Sequence, residues 1–179
     1  MKKRFFGILA TLCLCLTLLP ATALAGSSVE VSTWTDLRKT VTESQDNVIN
    51  VQLTQGIKWD EGSIAIPKGK TVTLDLPDGC NIDAKNSGTA IQVHGNLIIN
   101  GNQSGMITQG AATDGSPAGG IYIAPGGRVT MNGGIISNCS AGTQTATGVG
   151  GVYVSEGATF EMNAGYIAQC SGGNESNLL

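Results

Sequence analysis

GIYIAPGGRVTMNGGIISNCS, Gly120 to Ser140, returns as GVYVSEGATFEMNAGYIAQCS, Gly151 to Ser171, thirty-one residues further on. Tyr122/Tyr153, Gly126/Gly157, Met131/Met162, Asn132/Asn163, Gly134/Gly165, Ile136/Ile167 and Cys139/Cys170 are identical. The remaining apolar positions exchange within their class. A fixed period of roughly 20 to 50 residues is the mark of an architecture built by stacking one small unit.

Weaker copies lie upstream. Ile91-Gln92-Val93 is followed by Gly95, Leu97 to Asn100 and Met106-Ile107; Ile64-Ala65-Ile66 is followed by Gly69, Val72 to Leu74 and Ile82. The units begin at Ile64, Ile91, Ile121 and Val152, and each holds three short strands. Apolar residues alternate within them, as in Ile121/Ile123 and Val129/Met131, which turns one face of each strand inward. Such strands cannot bury that face alone, but coils stacked about 4.8 Å apart share one apolar column. The predicted fold is therefore all-β, a parallel β-helix (solenoid) of about four coils. Gly69, Gly95, Gly126 and Gly157 recur where the chain must turn, and are expected to take positive φ. Asn100, Asn132 and Asn163 recur after the second strand and are expected to form a structural amide ladder.

The chain before the repeat reads differently. Thr33-Trp34-Thr35-Asp36 has a helix-start pattern, with Trp34, Leu37 and Val41 spaced for one apolar face. A helix near Thr33 to Thr42 is the expected N-terminal cap, with Val48 to Leu53 as the entering strand. The organisation is then 26–62 for cap and entering strand, 63–171 for the coils, and 172–179 for a short polar tail. The tail offers no comparable cover, so the C-terminal coil is expected either to continue into further repeats of a longer protein or to self-associate.

The 179 residues include 26 glycines, 13% charged and 4% aromatic residues, which suits a turn-rich β chain. Lys2, Lys3 and Arg4 precede an apolar run from Phe5 to Leu19, then Pro20 and Ala23-Leu24-Ala25, the pattern of a secretory signal peptide spanning 1–25. A spanning helix needs about 20 apolar residues, and the run is shorter. The expected address is secreted or cell surface, with no membrane segment after cleavage. Acidic residues outnumber basic ones, 13 to 10, and cleavage removes three of the bases, so no nucleic-acid partner is expected. Cys80, Cys139 and Cys170 remain, an odd number that cannot complete a disulfide framework. Cys139 and Cys170 sit one coil apart, either as stacked thiols packing like small hydrophobes or as a disulfide.

GGIYIAPGGRVTMNGGIISNCSA and its second copy resemble repeats of large bacterial secreted and cell-surface proteins with the pectin-lyase-like right-handed β-helix. TWTDLRKTV, KTVTLDLPDGCNID and GNLIINGN resemble the capped opening coils of such domains. The resemblance implies the fold; the same architecture carries adhesins, passenger domains, polysaccharide lyases and glycoside hydrolases.

Catalytic patterns are weak. Glycoside hydrolysis uses two carboxylates across one cleft; Asp75, Asp78 and Asp83 are the densest set, but Asp78 lies in a Pro-Asp-Gly turn. His94 reads as a turn residue. A lyase would need Arg or Lys beside acid-bound calcium, whereas Arg38 belongs to the cap and Arg128 faces Glu161 as a surface ion pair. No cofactor or metal is expected. Tyr122 and Tyr153, between inward-facing neighbours, are expected to point outward as an exposed aromatic pair, suited to carbohydrate or a surface protein. The sequence thus points to a non-catalytic stalk or adhesive module, with a polysaccharide lyase or glycoside hydrolase fragment as the alternative.

Overall fold

The computed structural model describes residues 27–112, 116–141 and 148–173. The expected leader, 1–25, and the tail from 174 onward lie outside them. The described chain is an all-β parallel solenoid of about four turns with one short helix near its N-terminal end.

Strands β2 (Val48–Leu53), β3 (Ile57–Lys58) and β4 (Ile64–Ile66) make the first turn. The second is β5 (Thr71–Leu76), β6 (Asn81–Asp83) and β7 (Ile91–Val93); the third is β8 (Asn96–Gly101), β9 (Met106–Thr108) and β10 (Ile121–Ile123). The strands β11 (Arg128–Ser137) and β12 (Val152–Val154) form the fourth, and β13 (Thr159–Ala168) lies on β11. Every strand pairing is parallel.

Register is set by apolar columns. Ile64, Ile91, Ile121 and Val152 pair successively on one wall. Val72, Leu97, Val129 and Phe160 do so on a second, and Ile57, Ile82, Ile107, Ile136 and Ile167 on a third. A slip of one residue would turn each inner row outward, which makes this pairing strongly specified. From Ile57 to Ile136 these side chains are buried; the outermost members, Val152, Phe160 and Ile167, are not.

Helix α1 (Trp34–Glu43) closes the lower end. Thr33 caps it, its hydroxyl accepting from the Asp36 amide at 3.0 Å. Trp34, Leu37 and Val41 are buried beneath it. The Trp34 indole donates to Gly62 O at 3.0 Å and its ring lies 4.9 Å from that of Trp59. One element was not expected: β1 (Val29–Val31), which pairs with β2 ahead of the helix and extends the second wall by a strand.

Two expectations need correction. Each unit was read as three strands, but in the fourth turn two have fused into β11. Met131 faces Ile99 and Ile135 faces Met106, so three residues, Asn132 to Gly134, cross a corner that takes Asn100 to Gly105 one turn below. The short crossing needs glycine: Gly134 has φ +86, and a Cβ on Gly133 would meet Gly101 O at 2.2 Å. Gly165, φ +100, repeats the device in β13. The second concerns Gly95. Gly69, Gly126 and Gly157 have φ of +83, +79 and +73 as expected. Gly95 does not share that conformation; it is glycine because a Cβ would lie 2.3 Å from Pro67 O.

The three cysteines among the described residues are free thiols, Cys80 and Cys139 buried and Cys170 partly so. Burial is the main force that pushes the Cys139 thiol up to about 12, helped by the neighbouring Cys170 and opposed by a backbone hydrogen bond at Gly110. The unfolded chain loses this proton near the ordinary thiol value and the folded chain holds it, so unfolding is favoured as pH rises through that interval. We expect stability to fall between pH 9 and 12, and the fall to be shallower in Cys139→Ala by at most about 1.4 kcal/mol per pH unit. Urea midpoints of both proteins across that range measure the difference.

Candidate binding surfaces

The wall formed by β4, β7, β10 and β12 presents Ala65, Gln92, Tyr122 and Tyr153 in one outward column. The tyrosine rings stack with centroids 6.0 Å apart and tilted by 39°. Both are half-buried rather than freely exposed, each ring leaning on its neighbour. Neither phenol hydroxyl has a hydrogen-bond partner among the described residues, so an aromatic surface and two unengaged hydroxyls face solvent together. One step below, Gln92 donates to Ser63 Oγ at 3.2 Å.

A second polar column runs along the corner between the other two walls. Asn163 Nδ2 donates to Asn132 Oδ1 at 2.9 Å, Asn132 Nδ2 to Asn100 Oδ1 at 3.1 Å, and Asn100 Nδ2 to Asp75 Oδ1 at 2.8 Å. The three asparagines were expected from sequence as a ladder; Asp75, weighed there only as a catalytic acid, was not expected in it. Its place follows from register, since Asp75 pairs with Asn100 between β5 and β8. A carboxylate only accepts, so Asp75 obliges the Asn100 amide to point its NH2 group down. That turns Asn100 Oδ1 up as the acceptor for Asn132, and the polarity propagates to Asn163.

Beside this ladder the contracted corner leaves a notch. The wide loop of the third turn, with Asn102 and Gln103, projects beneath the tight glycine bends of β11 and β13. The space encloses about 550 Å³, with Asp78 on one side and Tyr166 on the other. The Asn102 and Gln103 side chains make no hydrogen bond to described residues, and Tyr166 is 66% exposed. Sequence reading missed this site because it arises from a length difference between corners, visible only once Met131/Ile99 and Ile135/Met106 are aligned.

The acidic residues weighed for catalysis are each engaged elsewhere. Asp75 anchors the ladder, Asp78 accepts from Ser104 Oγ at 2.8 Å, and Asp83 accepts from the Lys85 amide at 2.8 Å. Arg128 lies 3.8 Å from Glu161 with both side chains about half exposed, a geometry worth about 0–1 kcal/mol. His94 is exposed in its turn, its amide donating to Ile66 O at 2.9 Å. Above, β13 has β11 as its sole strand neighbour among the described residues, and Val154, Met162, Tyr166 and Ile167 are exposed along this end. No described helix is long and apolar enough to cross a membrane.

Comparison of the chain with protein-family models, with curated proteins and with solved structures gives no match.

The ladder makes a graded prediction. Asn132→Ala removes two amide bonds and Asn163→Ala one, each worth about 0.5–1.5 kcal/mol net. Chemical denaturation is expected to show Asn132→Ala as the costlier change, by about 1 kcal/mol. Equal effects would mean that the amides contribute individually through solvent and not as a chain.

Proposed function

We propose that this chain is an exported, non-catalytic β-helix module of a bacterial surface protein, of the pectin-lyase-like kind, serving as a stalk that carries a carbohydrate-binding face. One observation supports this reading most: the asparagines at repeated positions bond from coil to coil, while Tyr122, Tyr153, Asn102 and Gln103 make no side-chain hydrogen bond to described residues and stand on two outward surfaces. The first surface is the Tyr122/Tyr153 pair; the second is the notch edged by Gln103 and Tyr166. Aromatic rings beside free amides and hydroxyls suit the mixed apolar and polar faces of a sugar. The engagement of Asp75, Asp78 and Asp83 in ladder and turn bonds favours binding over hydrolysis. A surface protein is the other partner class that an aromatic pair of this kind fits.

Export and binding are tested together. Expressed with its first 25 residues in a secreting bacterium, the chain is expected outside the cytoplasm with Gly26 at its N-terminus. The exported protein should be retained by immobilised polysaccharide without releasing reducing or unsaturated sugar ends. Tyr122→Ala with Tyr153→Ala should weaken retention about tenfold. Release of sugar ends that Asp75→Asn or Asp78→Asn abolishes would establish an enzyme instead. Light scattering that shows mass rising with concentration would assign the exposed end at β13 to self-association.

A further inference from the structure

Cys139 and Cys170 follow the ends of β11 and β13 at matching positions. Residues on both sides of them pair in register, Ser137 with Ala168 and Ser140 with Ser171, so the two cysteines face each other across adjacent parallel coils. Neighbouring in-register strands lie about 4.8 Å apart, inside the Cα separation that a disulfide spans. Both side chains turn to the same side. Cys139 Sγ lies 3.3 Å from Ser137 O and Cys170 Sγ 3.4 Å from Ala168 O, the same local contact in each coil. Cys170 Sγ also reaches down to Ile136 O at 3.8 Å, an atom of the coil that holds Cys139. Room for the sulfurs comes from Gly120 and Gly151, where an added Cβ would stand 3.3 Å and 3.6 Å from the two Sγ atoms. Cys80 is excluded as a partner, since it sits at another corner with Sγ against Leu53 O at 3.7 Å.

We propose that Cys139 and Cys170 are a redox pair that closes into a disulfide and staples the last two described coils together. The free thiols are the reduced state. The oxidant is a small-molecule or protein disulfide. Cys170, the more exposed thiol, loses its proton and attacks one sulfur of that disulfide, which releases one thiolate and leaves Cys170 in a mixed disulfide. Cys139 then loses its proton and attacks the Cys170 sulfur, releasing the second thiolate. Two protein thiols are oxidised to one disulfide, one external disulfide is reduced to two thiols, and the protons pass to the released thiolates. Burial of Cys139 holds it protonated, with a thiol value pushed up to about 12, so the second step is the slow one and quickens about tenfold per pH unit below that value.

The full chain is incubated with oxidised glutathione, quenched in acid, denatured, alkylated and mapped by peptide mass, which separates Cys13 and Cys15 from the cysteines of the coils. At pH 7 a glutathione adduct on Cys170 should accumulate; raising the pH to 9 should convert it to a Cys139–Cys170 disulfide, with Cys80 still alkylated. Cys139→Ser should stop at the adduct, Cys170→Ser should give neither product, and Cys80→Ser should react as the parent chain does. The oxidised form should melt several degrees above the reduced one, because the link constrains the unfolded chain. The proposal is overturned by an adduct on Cys170 that persists at pH 9, by alkylation of all three coil cysteines after oxidation, or by a disulfide that includes Cys80.

Discussion

Parallel coils repeating at the spacing of one β-strand force like to lie on like, and the rest of this molecule follows from that constraint. A side chain inside the solenoid has its counterpart from the next coil directly above it, so an inner position works only if its occupant packs against another apolar side chain. Branched aliphatics meet the condition. The third wall is isoleucine in all five of its paired strands, from Ile57 to Ile167. A polar residue stacks only when it donates on one side and accepts on the other. Asparagine can, and the Asn100, Asn132 and Asn163 amides do so.

The constraint acts on side chains facing each other across coils and leaves corner length free. A turn may widen or tighten provided that the strands on either side return to register, and between the third and fourth turns the corner tightens by three residues. The immediate cost is conformational. Gly133, Gly134 and Gly165 serve where a Cβ would strike the coil beneath or strain the backbone. The wide loop is left projecting beneath a narrow one, and the notch beside the ladder is the result. Glycines that a repeat alignment reads as turn punctuation are here the floor of a groove.

The sequence made the inner columns legible because periodicity records them twice, once by alternation within a strand and again by recurrence between coils. Ile64, Ile91, Ile121 and Val152 can be placed opposite one another from that pattern alone, and the capping helix can be read from Thr33, Asp36 and three spaced apolar residues. β1 was not legible, since Val-Glu-Val is too short for alternation to register and has no counterpart in the repeat. The fusion of two strands into β11 escaped for a related reason: Asn132-Gly133-Gly134 looks like a turn, and only pairing with β8 and β9 at once shows that the strand runs through it as a bulge. Asp75 was hidden by chemistry, being weighed as an acid when its work is to accept one hydrogen bond and thereby orient three amides.

Function in such a molecule has to reside where the stacking rule relaxes. On the wall of β4, β7, β10 and β12 the inner column keeps to isoleucine and valine, whereas the outer column passes from Ala65 to Gln92 and then to Tyr122 and Tyr153. Outer residues still face their neighbours, as the tyrosine stack does, but solvent tolerates a change of chemistry from one coil to the next. Each outward column is therefore a row of independently variable groups at fixed spacing on a rigid support. The Tyr122/Tyr153 pair and the ladder notch lie on different sides of the coil, and the shared apolar interior fixes both. A substitution that loosens the inner columns would blur both surfaces together, whereas one confined to an outer column would alter one and leave the other intact.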